Sequence, residues 1–266
     1  MHEVTILKVE KDGIVNLDLL KSSITKKTVL VSIMYANNET GVIQPIKEIT
    51  KICKEKKVLF HTDAAQAVGK IKINVKKLNI DMLSISAHKF YGPKGIGAIY
   101  INSRPRVRLN SLIDGGGQEK TMRSGTLPVP LCIGLGEAAR LARLEMKKEY
   151  DRTKMLRDYF IQQLKKNIED IGFNGDLEKR LPANINFFIK GIKSIDLISK
   201  LNNTVISAGS ACTSHSTEPS YVLKGMGLEK EIIESSLRIG IGRFNYKKDL
   251  DIAVKEIVNL VKIMRK

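Results

Sequence analysis

The chain of 266 residues has no tryptophan, only three cysteines and seven prolines, and aromatics make up 5% of it. The cysteines, Cys53, Cys132 and Cys212, lie far apart and are odd in number. That argues against a disulfide framework and for a reducing, cytoplasmic setting. No window approaches the ~18 uninterrupted apolar residues of a membrane span. The opening "MHEVTILKVEKDG" holds no apolar segment of signal-peptide type. There is no internal repeat, no low-complexity linker and no metal-ligand cluster to expect a metal from.

What is present in excess is positive charge, +17 in all. A nucleic-acid partner is the sharp reading of such a charge. Here the lysines are scattered through "KEITKICKEKK", "EMKKEYDRTK" and "YKKDLD", mixed with acids, and few aromatics are available to stack bases. Lysine-rich solvated helix faces explain the pattern better. The hydrophobic content of 42% suffices for one large domain or two modest ones. The clearest change of character falls near residues 140–150, where glycine-rich turns give way to the charged helical stretch "ARLEMKKEYDRTKMLRDYFIQQLKK". The expected division is therefore residues 1–145 and 146–266, an α/β domain followed by a smaller α+β domain.

Three apolar runs in the first part end in polar residues. "TVLVSIMYANNETG" reads as a buried strand over about 28–35, closing at Asn37, Asn38 and Glu39. "QPIKEITKICKEKK" reads as a helix with Pro45 near its first turn and Ile46, Ile49 and Cys53 on one face. "VLFHTDAAQ" is a strand ending at Asp63. "DMLSISAHK" is a strand ending at His88 and Lys89. Strand, helix and strand at this spacing predict a mostly parallel sheet, whose carboxyl ends are where ligands bind. Taken singly, Asn38 reads as a turn residue, Asp63 as a cap and Lys89 as a solvent-facing lysine. Their convergence on one sheet edge points elsewhere.

A lysine and a carboxylate at one mouth suit pyridoxal 5′-phosphate (PLP). The lysine binds the aldehyde, and the carboxylate keeps the pyridine nitrogen protonated. Gly92, Gly95 and Gly97, in "SISAHKFYGPKGIGAIYI", would let the backbone turn beside such a cofactor. Beyond this, "ANINFFI" and "TVISAG" read as strands and "KKDLDIAVKEIVNLVKIM" as a closing helix.

The blocks "NNETGVIQPI", "HTDAAQAVGK", "SAHKFYGPKGIGA", "GGGQEKTMRSGT", "SAGSACTSHSTEPSYVL" and "SSLRIGIGR" together resemble the cysteine desulfurases of the NifS/IscS type, PLP enzymes of fold type I. The resemblance covers essentially the whole chain. It implies that Lys89 is the Schiff-base lysine and Asp63 the partner of the pyridine nitrogen. Asn38 and Gln66 would lie near the phenolic oxygen, and Ser86 and His88 would contact the phosphate. Thr126 would reach the phosphate of a neighbouring subunit's cofactor, which implies a homodimer. Arg238 would grip the substrate α-carboxylate, a task a guanidinium performs by pairing with both oxygens. Cys212, among small and polar residues, would be the thiol that takes sulfur from L-cysteine as a persulfide, releasing L-alanine. An iron–sulfur scaffold or a sulfur-relay protein would be the acceptor. Cys53 and Cys132 read as packing residues.

The resemblance also implies a truncated large domain. Roughly the first quarter of the family's length, with its phosphate-cradling segment and ring-stacking histidine, would precede this chain, and a separately encoded N-terminal fragment could complement it. Two alternatives stand beside the desulfurase reading. One is another fold-type-I PLP enzyme such as a selenocysteine lyase, and the other is an inactive remnant that only binds partners.

Overall fold

A computed structural model describes residues 3–103, 107–209 and 219–266. Two compact units emerge. One holds Lys26–Tyr35 and Ile46–Met146, and the other holds the chain through Thr25, Ala36–Pro45 and Lys147–Lys266.

The first unit is built on a four-stranded sheet of β1 (Leu30–Ser32), β2 (Leu59–Asp63), β3 (Met82–Ser86) and β4 (Gly97–Ile101), in that spatial order. The pairs β1–β2 and β2–β3 are parallel, and β3–β4 is antiparallel. Period-two alternation puts Phe60 and Thr62 of β2 fully inside. Helix α2 (Ile46–Glu55) follows Pro45 and buries Ile46, Ile49 and Cys53, as its spacing predicts. Helix α3 (Val129–Asn167) belongs to this unit by its first half, where Ala138 and Ala142 pack against Phe90.

The second unit carries a three-stranded antiparallel sheet of β5 (Ile171–Phe173), β6 (Asn184–Ile189) and β7 (Ser236–Gly240), with β6 central. The later half of α3 contributes Leu156, Phe160 and Leu164 to its core. Helix α7 (Lys247–Met264) contributes Leu250, Ala253, Val254, Ile257, Val258 and Val261. These positions recur at helical spacing, and α7 spans the residues its periodicity predicts. At its start Asp249 Oδ2 accepts the Tyr246 N–H at 2.9 Å. Shorter helices are α1 (Leu17–Ser23), α4 (Ser194–Ser199), α5 (Tyr221–Gly225) and α6 (Lys230–Glu234). No helix among the described residues is long and apolar enough to cross a membrane.

Several local expectations are corrected. β1 covers only Leu30–Ser32, not 28–35. β3 stops at Ser86, because Ala87–Phe90 closes into a 3-10 turn that buries Ala87 and Phe90 and ends on a left-handed Tyr91. "TVISAG" is not a strand. Ser207 exchanges two backbone hydrogen bonds with Arg238, but its hydroxyl then bonds both the N–H and the C=O of Gly209, which competes with a ladder. The change of character near 140–150 is a separate matter: there helix α3 passes from one unit to the other, between Met146 and Lys147. Cys132 is exposed rather than packed, since it lies one residue off the α3 stripe of Leu131, Leu135, Ala138 and Ala142.

Candidate active site

The carboxyl edge of the first sheet is where its polar residues gather. Asp63 ends β2 and lies in register with Ser84 of β3. The backbone continues this pairing past the strand, with Tyr35 N–H donating to Asp63 C=O at 2.7 Å and Ala64 N–H to Ser84 C=O at 2.9 Å. One oxygen of the exposed Asp63 carboxylate accepts the Ala65 N–H at 2.8 Å, which orients the group at the strand end. Ser86 ends β3. His88, exposed, and Lys89, half-buried, follow in the 3-10 turn.

That turn is held by its neighbours. Phe90 is 2% exposed and locks the residue after Lys89 into the core. The return strand needs glycine at Gly97, opposite Ser86, because a Cβ there would lie 2.4 Å from the Ile85 carbonyl oxygen. Gly95 turns the chain with φ +83°. So Lys89 sits on a short packed turn at the strand end.

Gln66 lies in the turn after β2 and is half-buried; its Oε1 accepts from Lys70 Nζ at 2.9 Å. Burial first, and the charge of Lys89 second, pull the Lys70 pKa down to about 8. Beneath the edge, His61 of β2 bridges Ser32 Oγ at 2.8 Å and Ser84 Oγ at 3.2 Å. Burial pulls its pKa below the usual histidine value, partly offset by Asp63.

In the other unit, Arg238 of β7 donates from Nη1 to the Asn38 C=O at 3.2 Å. The bend that carries Asn38 is closed by Asn37, whose Oδ1 accepts the N–H groups of Glu39 and Thr40 at 2.8 and 2.9 Å. Glu39 is 1% exposed. Burial pushes its pKa up, while a hydrogen bond from Ser220 and the charge of Arg238 pull it back in part.

The structure thus brings Asp63, Ser86, His88 and Lys89 to one edge of one sheet, with Gln66 in the turn beyond Asp63. Asn38 and Arg238 meet each other in the second unit. Thr126 is exposed in the segment between Met122 and α3, beside Ser124, whose hydroxyl donates to the Gly116 C=O at 2.9 Å. Cys212 lies outside the described residues. Sequence reasoning reached Glu39 only as a strand-end residue and did not single out Lys70. The four-residue spacing of Gln66 and Lys70 in "QAVGK" is the one local signal for the latter.

An amine, a carboxylate, an imidazole and a hydroxyl at the carboxyl edge of a mostly parallel sheet suit a PLP-dependent enzyme of fold type I, the class whose structures this fold matches. The family described as "Aminotransferase class-V" matches residues 2–252, and the chain belongs to that family. Cysteine desulfurase IscS of Ehrlichia chaffeensis is 54% identical over 263 residues, covering 98% of this chain and 64% of that protein. The IscS of Rickettsia bellii is 49% identical, with 99% and 64% covered. The chain therefore spans about 64% of the length of the curated relatives it matches. Among solved structures, a "NifS-like protein" superposes with a TM-score of 0.89 at 34% identity, covering 98% of this chain and 68% of that one. A NifS-like protein from Rickettsia africae gives 0.87 at 31% identity, with 96% and 69% covered.

PLP is the cofactor of this family, and the donor set of the edge fits it. It offers an amine for an aldehyde, a carboxylate for a protonated ring nitrogen, and an amide, a hydroxyl and an imidazole for anionic oxygens.

Proposed function

We propose that the protein is a PLP-dependent cysteine desulfurase that converts L-cysteine to L-alanine and carries the sulfur as a persulfide on Cys212. The observation that carries this reading is Lys89 on its packed turn just past β3, with Asp63 ending the adjacent strand β2. The identity to proteins named cysteine desulfurase supports the substrate.

When bound, PLP would supply an electron-accepting ring that stabilises negative charge at the substrate α-carbon. Lys89 would hold its aldehyde carbon and, once released by substrate, take the α-proton on Nζ. Asp63 would keep the ring nitrogen protonated. Asn38 and Gln66 would lie at the ring oxygen, Ser86 and His88 at the phosphate, and Thr126 at the phosphate of a second subunit. Arg238 would pair with the α-carboxylate through two parallel hydrogen bonds. The Cys212 thiolate attacks the substrate sulfur. The carbon–sulfur bond would break with its electron pair left on the β-carbon as the sulfur–sulfur bond forms; the β-carbon would then take a proton, and Lys89 would return a proton to the α-carbon as L-alanine leaves.

Residues 1–145 would form the PLP-binding large domain and 146–266 the small domain. The working form would be a homodimer, or a complex with a separate N-terminal fragment, in the cytoplasm. An iron–sulfur scaffold or a sulfur-relay protein would receive the sulfur.

The test is alanine and sulfide release from cysteine by the protein complemented with its N-terminal segment, with PLP and a thiol reductant and with selenocysteine in a parallel arm; the 266-residue chain alone should turn over little or not at all. Stoichiometric alanine and a persulfide mapped to Cys212 are expected. Preference for selenocysteine without persulfide would assign a lyase, and no visible cofactor band would assign a partner-binding role.

A further inference from the structure

We propose that Lys70 is a positioning residue. Its ammonium holds Gln66 by the amide oxygen and so turns the amide nitrogen outward as a hydrogen-bond donor to an anionic oxygen of the cofactor ring. This rests on the PLP reading above.

A glutamine amide has one acceptor end and one donor end of nearly the same shape, so an unrestrained Gln66 could present either. A ring oxygen with anionic character needs the donor. Lys70 Nζ lies 2.9 Å from Gln66 Oε1. Turning the amide over would set its NH2 group against the ammonium, donor against donor. The lysine therefore decides which end of Gln66 faces away from it.

The placement of Lys70 is itself built. Gly69 has φ +79°, and a Cβ there would lie 2.7 Å from Phe90 Cβ and 3.3 Å from Ala142 Cβ. The Gly69–Lys70 turn thus packs directly on the residue that follows Lys89. Lys70 also stays in a spot that disfavours its charge, through burial and through Lys89. A lysine with only a packing role would be replaceable by methionine, which fills similar space without that penalty. The hydrogen bond to Gln66 is what methionine would not supply.

The experiment compares wild type with Lys70→Met, Lys70→Arg and Gln66→Glu. The first readout is the side-chain amide NMR signal of Gln66, assigned by its loss in Gln66→Glu. The second is PLP affinity and the position of the visible band. In Lys70→Met the Gln66 amide signals should move toward those of a free glutamine, and the PLP dissociation constant should rise about tenfold. Lys70→Arg should restore both in part. Gln66→Glu keeps a partner for Lys70, so it should fold, yet it offers no outward donor and should lose PLP affinity at least as strongly. Wild-type amide signals and affinity in Lys70→Met, or wild-type affinity in Gln66→Glu, would overturn the proposal. If Lys70→Met does not fold, Lys70→Ala decides by the same two readouts, with Gln66→Glu as the control for loss of the donor. If wild type itself shows no PLP band, the proposed function falls, while the amide signals still decide whether Lys70 orients Gln66.

Discussion

Ser220 Oγ donates a hydrogen bond to Glu39 Oε2 at 2.6 Å, joining residues 181 apart in the chain. Ser220 also caps α5, accepting the Leu223 N–H. Glu39 in turn neighbours Arg238, which is bonded to Asn38. One buried carboxylate therefore accepts from the serine that starts α5 and feels the charge of the arginine proposed to hold substrate.

Because burial raises the folded pKa of Glu39 above its unfolded value, its contribution is fully present at low pH and is lost as pH rises through the folded pKa. Glu39→Gln keeps an acceptor for Ser220 and carries no charge to bury. The variant should gain on wild type in melting temperature as pH rises from 4 to 7. Its KM for cysteine should not rise, since the carboxylate that competes for the charge of Arg238 is gone. Thermal melts at both pH values check the first part. A wild type that becomes the more stable of the two with rising pH would contradict it.

For Lys70 the sign is opposite. Its folded pKa of about 8 lies below the 10.5 of an exposed lysine, so between those values the unfolded chain binds more protons. Stability should therefore rise with pH in that window, by about 2–3 kcal/mol relative to Lys70→Met. Urea unfolding midpoints of both proteins at pH 7.5 and 10, chosen to be about the ends of that window, measure the difference. Parallel curves would refute the assignment.

Gly97→Ala should damage the turn that carries Lys89. The new methyl would meet the Ile85 carbonyl at 2.4 Å, a backbone atom that cannot swing away. A loss of about 2 kcal/mol in unfolding free energy is expected, with weaker PLP uptake. Gly136→Ala is the control, since a Cβ there meets nothing within 4 Å. Equal stability of the two variants would show that β3 and β4 are spaced differently.

Lys89→Ala should abolish the visible band of the protein with PLP. Cys212→Ala should keep the band and lose sulfide release. A persulfide that survives in Cys212→Ala would move the thiol role to Cys53 or Cys132.

Thiol labelling separates those two. Cys132 is exposed, whereas Cys53 is 1% exposed with its pKa pushed up to about 11 by burial and by Asp81. In a Cys212→Ala background, one thiol should react quickly, and Cys132→Ser should remove it. Cys53 should react only on unfolding, because the thiolate is the reactive form. Fast labelling of Cys53 in the native protein would count against the packing of α2.

The sequence by itself determined the elements with strong periodicity. The α2 face of Ile46, Ile49 and Cys53, the strand ending at Asp63, and α7 over Lys247–Met264 all follow from apolar spacing, which acts within a few residues. The polar strand ends made the polar edge of the first sheet legible for the same reason, since a glycine-rich turn and a strand end are local events. Only the tertiary structure decided the rest. Ser86 rather than Lys89 ends β3 because Ala87 and Phe90 find a core to enter. Ser207 joins Arg238 by a bridge and not a strand because its hydroxyl captures Gly209. Cys132 is exposed because α3 packs through the stripe of Leu135, Ala138 and Ala142, which does not include it. Lys70, separated from Gln66 by only four residues, gains its meaning from Phe90 and Lys89, brought close by folding. Glu39 gains its own from Ser220 and Arg238. Burial and long-range pairing depend on which distant residues arrive at the same place, and no local pattern encodes that.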